Sequence, residues 1–343
     1  MWLIYGANGY TGELIAREAV RRGMRPVLAG RRAETIEPLA RELECQWRVF
    51  DLAKPDLSNI ELVLHCAGPF TQTSAPMVRA CLDAGAHYLD ITGEIAVFES
   101  IMRMNDEAQR RNVALLPGVG FDVVPTDCLA AQLAEKLPDA NELWLAFYSA
   151  RGAISRGTMK TMIEGIDQGG AIRRDGRIVR VPLLYDVREI AFSCGPRLAM
   201  TIPWGDVSTA FHTTGIPNIR VYNAASPRTI RNVRIMKLFL PLLGLRPVKS
   251  LLQSFANRRS GPSAEMRASG RMYLWGRVTN ASGAEVTMTK TTPEGYQFTV
   301  ISAIAAVERV LAAPRRGGSF TPSKFFGAHF VDELVDTDPS HVK

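Results

Sequence analysis

The feature that most constrains this chain is Gly6-Ala7-Asn8-Gly9-Tyr10-Thr11-Gly12, set between an apolar run and a helical pattern. Residues 2–6 (Trp-Leu-Ile-Tyr-Gly) read as a short buried strand ending in glycine. From Glu13 to Arg22, Leu14, Ile15, Ala19 and Val20 recur at helical spacing and stop at Gly23. At such a junction Gly6 permits the tight turn, Gly9 lets backbone amides approach a pyrophosphate, and Gly12 lets the helix lie close on the strand. The helix N-terminus then favours phosphate charge. The spacing, G-x-x-G-x-x-G, is one residue off the commoner dinucleotide fingerprint. A glycine turn that binds nothing is the alternative, and the strand before and the helix after weigh against it.

The same sentence repeats along the chain. Strands are predicted at Pro26–Ala29, Gln46–Phe50, Leu62–Cys66, Tyr88–Ile91 and Val113–Leu116, with helices at Ala33–Leu43, Ala75–Ala84 and Ala96–Arg111. Short apolar strands alternating with helices are the pattern of an α/β, doubly wound parallel sheet of the Rossmann type, here over residues 1–135. From Asn141 the texture changes. Alternation at Glu142–Tyr148 and Ala284–Lys290, with glycine-rich turns at Gly165, Gly169-Gly170, Asp175-Gly176 and Glu294-Gly295, predicts an α+β domain. Residues 136–343 would form it on a mostly antiparallel sheet, with the chain end packing back on the first domain. No Pro/Ser linker separates the halves.

The second strand ends Leu28-Ala29-Gly30-Arg31-Arg32. An NAD enzyme places Asp or Glu here for the ribose 2′-hydroxyl; a guanidinium fork suits a 2′-phosphate, so the cofactor read from these residues is NADP(H). A solvated basic pair is the other reading. Asp51 is placed to accept from the adenine amino group or to cap a turn before Pro55. Cys66-Ala67-Gly68-Pro69-Phe70 ends the fourth strand, where a small-small-Pro turn would pass under the nicotinamide ribose; Cys66 reads as a buried small residue. Tyr88, Asp90 and Glu94 leave the fifth strand at the crevice mouth, and Asp122 and Asp127 follow the next strand. A proton donor could come from this cluster if burial raised a pKa toward neutrality. Glu94 and Asp127 also read as caps of the helices that follow them.

Other chemistries are excluded by what is missing. There is no Tyr-x-x-x-Lys, no G-x-x-x-x-G-K-[ST], no H-E-x-x-H and no G-x-S-x-G; the five histidines are scattered, and no metal site is expected. Five cysteines without C-x-x-C fit neither a disulfide framework nor a zinc ribbon. The glycine motif starts too early for a signal peptide, and the longest apolar stretch, 235–245, is interrupted and too short to span a bilayer. A cytoplasmic or peripheral protein is the expectation.

On these residues the chain resembles the saccharopine dehydrogenase-like oxidoreductases, in particular the trans-acting enoyl reductase branch. The resemblance rests on Tyr5–Gly12, Leu28–Arg32, Cys66–Phe70, Cys81–Glu94, Leu116–Asp127 and Gly317–Pro322. It implies a Rossmann domain, a mixed-sheet second domain and bound NADP, and it assigns no catalytic residue.

The net charge of +7 is concentrated: no carboxylate lies between Asp206 and Glu265, where nine basic residues fall. Arg228, Arg231, Arg234 and Lys237, interleaved with Ile230, Val233, Ile235, Leu238 and Leu240, suit an anionic membrane surface or an acyl-chain entrance across 228–259. A helix with one solvated face is the plainer reading, and stacking aromatics for nucleic acid are sparse. The expectation is an NADP-dependent oxidoreductase acting on a small-molecule or acyl substrate, first an enoyl thioester or other unsaturated acyl group. Imine or carbonyl reduction, and an NADPH-binding scaffold without turnover, are the alternatives. The second domain would hold the substrate and part of a homodimer contact.

Overall fold

The computed structural model describes residues 1–150, 155–165, 169–237, 239, 246–256 and 261–335. Leu238, Leu240, Arg258 and Arg259 of the basic segment lie outside them. Seven parallel strands form the first sheet: β1 (Trp2–Tyr5), β2 (Val27–Gly30), β3 (Trp47–Val49), β4 (Leu62–His65), β5 (His87–Asp90), β6 (Ala114–Leu116) and β15 (Gly318–Ser319). Their order is β15-β6-β5-β4-β1-β2-β3, so the winding reverses at β1, which pairs with β2 on one side and β4 on the other. β1, β2, β4 and β5 are buried on both faces, which is why they read as continuous apolar runs. Register aligns Tyr5 with Ala29 and His65, and His65 with Asp90, so these carboxyl ends rim one crevice.

Six helices accompany this half: α1 (Tyr10–Arg21), α2 (Ala33–Glu42), α3 (Phe70–Ala84), α4 (Ile95–Met102), α5 (Asn105–Arg110) and α6 (Val124–Lys136). Two depart from the sequence expectation. The helix expected over 96–111 is two, because Asn105 starts a separate turn whose Oδ1 accepts from the Ser319 amide of β15. α3 begins at Phe70 instead of Ala75: the Glu94 carboxylate accepts from the amides of Phe70 (2.8 Å) and Thr71 (2.7 Å), stabilising a first turn upstream of Pro76.

The second sheet runs β10 (Val187–Phe192), β11 (Gly195–Thr201), β12 (Asn218–Ala224), β7 (Ala140–Ser149), β13 (Arg271–Asn280), β14 (Glu285–Pro293). The hairpin of β8 (Gly170–Arg174) and β9 (Arg177–Val181) joins through β12. It is a mixed sheet, since β12 pairs in parallel with β7 while its other pairings are antiparallel. The helices of this half are α7 (Arg156–Glu164), α8 (Asp206–Thr214), α9 (Pro227–Lys237), α10 (Arg246–Ala256), α11 (Ala264–Ser269), α12 (Gly295–Ala312), α13 (Pro322–Phe326) and α14 (Phe330–Leu334).

α12 joins the two halves. Its Val300, Ala303, Ile304, Ala306, Val307 and Val310 pack with Ile4, Ile15 and Ala19 of the first core. Its Phe298 and Ala305 belong to the core under the second sheet, with Phe121, Leu129 and Leu145. Glu99 of α4 adds a polar tie, accepting from buried Arg173 of β8 (2.7 Å) and from the Ser208 hydroxyl of α8 (2.7 Å). His212, Ser208 and Arg173 hold its carboxyl down to about 2. No described helix is long and apolar enough to cross a membrane.

Candidate functional site

The fingerprint turn is built by backbone bonds. The amides of Gly6 and Ala7 donate to Ala29 O, and that of Gly9 to Gly6 O (2.9 Å). Gly6 needs its left-handed conformation (φ +83°), and a methyl at Gly12 would sit 2.3 Å from Gly6 O. That contact is why the helix lies so close to the strand. Asn8 is tied across to α2, its amide donating to the Thr35 hydroxyl, which donates to Arg32 O. Tyr10 donates to Pro262 O (2.6 Å), accepts from Arg267, and meets Tyr296 edge to face at 5.1 Å.

The helix ends of the crevice differ in one respect. The first turn of α1 leaves N–H groups without intrahelical partners, and no side chain caps it. That of α3 is already filled by Glu94. An uncapped N-terminus beside a glycine turn fits a pyrophosphate, so the residues present fit a dinucleotide. Ala29 and Gly30 are buried at the end of β2, while Arg31 and Arg32 are exposed beyond it. Arg32 has Glu34 at 3.8 Å. Asp51 is exposed, and its Oδ1 accepts from the Ala53 and Lys54 amides, the turn-capping role.

The turn after β4 is rigid underneath. His65 is fully buried, stacks with Tyr5 at 5.5 Å and bonds through Nε2 to the Thr73 hydroxyl, which donates to Ala67 O. Burial holds its imidazole down at about 3, so it is neutral. Ala67, Gly68 and Pro69 are at least partly exposed, and Phe70 is buried. Burial pushes the Cys66 thiol up, against a nucleophilic role.

The carboxylates separate by environment. Asp90 is fully buried and fully used: Oδ1 accepts from Thr92 and Gly118 amides, and Oδ2 from the Tyr88 hydroxyl. Burial brings it to about 6. Two expectations are corrected. Glu94 caps α3, upstream in the chain, instead of the helix that follows it. Asp127 lies inside α6 and accepts from the Thr213 hydroxyl and the Ser323 amide, so it caps α13. Register alone cannot reveal such long-range partners.

Asp122 is the exception in this cluster. It keeps some solvent contact, makes no hydrogen bond to the described residues, and packs so close to Gly93 that a methyl there would be 2.6 Å from Oδ2. Burial pushes it up to about 7. Behind it Asp206 is fully buried, with Thr126 facing it but no bond of ordinary geometry at either oxygen; burial, with Asp127 and Asp122 nearby, pushes it well up. The wall beyond is apolar. Gly205 abuts Gly93 O and Phe98, Trp204 lies 4.9 Å from Phe147, and Phe147 lies 5.9 Å from Phe121. No metal-binding group of His, Cys, Asp and Glu occurs among the described residues.

Comparison with known proteins agrees with this architecture. The chain is 28% identical over 200 residues to a trans-acting enoyl reductase of Mycobacterium bovis, covering 52% of this chain and 48% of that protein. It is 26% identical over 202 residues to the human saccharopine dehydrogenase-like oxidoreductase, covering 50% and 47%. It thus spans about half the length of these relatives. Its fold matches the saccharopine dehydrogenase (L-Glu forming) of Saccharomyces cerevisiae over 100% of this chain and 99% of that one, with a TM-score of 0.65 at 9% identity. An amine dehydrogenase from Mycobacterium smegmatis matches over 93% of each chain, at 0.51 and 9%. The family model of the saccharopine dehydrogenase NADP binding domain matches residues 2–116, the segment that carries the fingerprint turn, β2 and the turn after β4. Residues 2–116 are thus similar to the saccharopine dehydrogenase NADP binding domain, and NADP(H) is the cofactor.

Proposed function

We propose that the chain is an NADPH-dependent reductase of a polarised carbon–carbon double bond in an acyl substrate, with Asp122 as proton donor. The observation that carries this is the Asp122 carboxyl, unpartnered, partly accessible and held near neutrality at the carboxyl end of the cofactor sheet. Bound NADPH would supply the hydride. Gly9, Tyr10, Thr11 and Gly12 would hold the pyrophosphate, with Gly6, Ala7 and Asn8 shaping the turn. Ala29, Gly30, Arg31, Arg32 and Asp51 would face the adenosine half, and Ala67, Gly68, Pro69 and Phe70 the nicotinamide ribose. With an enoyl thioester, the double-bond electron pair would shift to the α-carbon as the β-carbon is reduced, and Asp122 would give its proton to that α-carbon. Asp122 is left as carboxylate and regains a proton from water.

The relatives named enoyl reductase support the acyl reading, and so does the aromatic wall of Phe121, Phe147 and Trp204. Imine or carbonyl reduction has the folds of a saccharopine dehydrogenase and an amine dehydrogenase behind it. The test is NADPH absorbance on adding enoyl thioesters against oxo acids with amines. Turnover of the thioester, falling above about pH 7 and losing that limb in Asp122→Asn, is expected. Turnover only with oxo acids promotes the second reading, and tight NADPH binding with silence across both classes promotes a scaffold.

Two surface readings accompany the proposal. Arg228, Arg231, Arg234 and Lys237 are exposed on and around α9, as are Ile235 and Phe239, and Leu251 and Phe255 are exposed on α10. This mixture suits an anionic membrane surface. A second copy would dock on the outer face of the second sheet, where Trp144, Tyr273, Trp275, Arg188 and Arg277 line a cavity of about 1160 Å³.

A further inference from the structure

α7 lies across the mouth of the cofactor crevice, fastened at both ends. At its start the Ser155 amide donates to the Tyr296 hydroxyl (2.7 Å), which also bonds Thr158 (2.8 Å), and Tyr296 in turn rests on Tyr10 of the fingerprint. At its end Thr161 donates to Glu94 Oε1 (3.4 Å), and Glu164 accepts from Gln72 of α3 (3.3 Å) and from Gln253 of α10 (2.9 Å). Lys249 of α10 closes the last turn by donating to Glu164 O. The helix therefore spans from the first helix of the sheet to the third.

Along this span Arg156 and Lys160 stand four residues apart, on one stripe of the helix. Lys160 is half-buried and within electrostatic range of both Arg156 and Arg31, and the repulsion of these two cations, after burial, lowers its pKa. Arg31, Arg156 and Lys160 make no ion pair with any described carboxylate. A half-buried Lys160 beside two exposed cations, with no counter-ion among the described residues, is unfavourably placed in the free protein unless an anion is to enter. Arg31 stands at the end of β2, where the ribose 2′ position of a dinucleotide held by the fingerprint falls.

We propose that Arg156 and Lys160 of α7 complete, with Arg31, the site for the 2′-phosphate, so that the group that selects NADP also holds α7 across the crevice. The proposal rests on the cofactor reading and extends it to a segment far from the family's NADP-binding domain. Specificity for the phosphate and enclosure of the cofactor then become one event. NADH, without the phosphate, would enter the turn but leave α7 held only by its polar end contacts.

The test is calorimetry of the whole chain with NADPH, NADH and adenosine 2′,5′-bisphosphate, the last carrying the 2′-phosphate without nicotinamide. Lys160→Met and Arg156→Met should each weaken NADPH and the bisphosphate by about tenfold, the size of one lost charge-assisted bond, and change NADH less than twofold. In wild type, amide exchange in 156–164 should slow with NADPH and the bisphosphate but not with NADH, and Lys160→Met should abolish the slowing. Both side chains are at least partly exposed, so the variants should fold, and unchanged thermal unfolding checks this. Wild-type affinity of both variants for NADPH, with Arg31→Ala alone losing the preference for NADPH over NADH, overturns the proposal and leaves the cofactor reading standing. Equal wild-type affinity for NADPH and NADH overturns both.

Discussion

Four aspartates near the crevice, Asp90, Asp122, Asp127 and Asp206, are all pushed upward by burial, and their partners decide what each can do. Asp90 and Asp127 spend their oxygens on amides and hydroxyls; Asp122 and Asp206 make no hydrogen bond of ordinary geometry to the described residues, and of these two only Asp122 keeps some solvent contact. A carboxyl raised in the fold binds its proton more tightly there than in the unfolded chain, so its contribution to stability is present at low pH and lost as pH rises through the folded value. For Asp122 that window runs from about 4, its unfolded value, to about 7. His65 and His87, held down to about 3 and 4, act in the opposite sense as pH rises to about 6.5. The difference between wild type and Asp122→Asn removes their effect. Urea midpoints should show wild type losing ground to Asp122→Asn between pH 5 and pH 8; a constant difference would mean that Asp122 titrates normally. The glycines of the fingerprint were legible because their role is local, set by a turn and a close approach. Asp122 was only one of five candidates, because Glu94 and Asp127 are set aside only by partners more than twenty residues away.

At the scale of elements, periodicity located most of the first sheet's strands and helices but not where helices begin or what they face. The early start of α3 depends on a carboxylate from the next βα loop, and the break after α4 on an asparagine serving β15. α7 left only its bounding glycine in the sequence pattern, so its course over the crevice was not legible. The basic segment was legible as charge, and the structure adds that some of its described apolar residues share the exposed surface. Ile230 is buried, anchoring α9, while Ile235 and Phe239 are open to solvent. If α9 and α10 meet an anionic surface, vesicles containing phosphatidylglycerol should sediment the protein, less so at high salt. Replacing Arg231, Arg234 and Lys237 by Gln should weaken this several-fold with the fold intact. Equal sedimentation with pure phosphatidylcholine, insensitive to salt, would remove the electrostatic reading.

For the whole molecule, the first core is not closed by the first 135 residues. α1 packs along α12, which arrives more than 150 residues later, and β15 then pairs with β6 at the sheet edge. Nothing in the sequence of α12 announces this: its Ala303, Ala305 and Ala306 give a helix that is apolar nearly all round, and only the fold shows that its two sides enter different cores. A helix buried in both cores transmits the loss of either to the other, so the two sheets should unfold together. Ile304→Ala tests this, since Ile304 is fully buried on the first-sheet side and the truncation should cost about 2–5 kcal/mol. Tryptophans report the halves separately: Trp2 and Trp47 belong to the first sheet, Trp144 and Trp275 to the second. Variants retaining one pair or the other should give coincident urea transitions, and Ile304→Ala should shift both by the same amount. A shift confined to the first pair, with the second sheet unfolding at its former midpoint, would show that α12 joins the halves in space without joining them in stability.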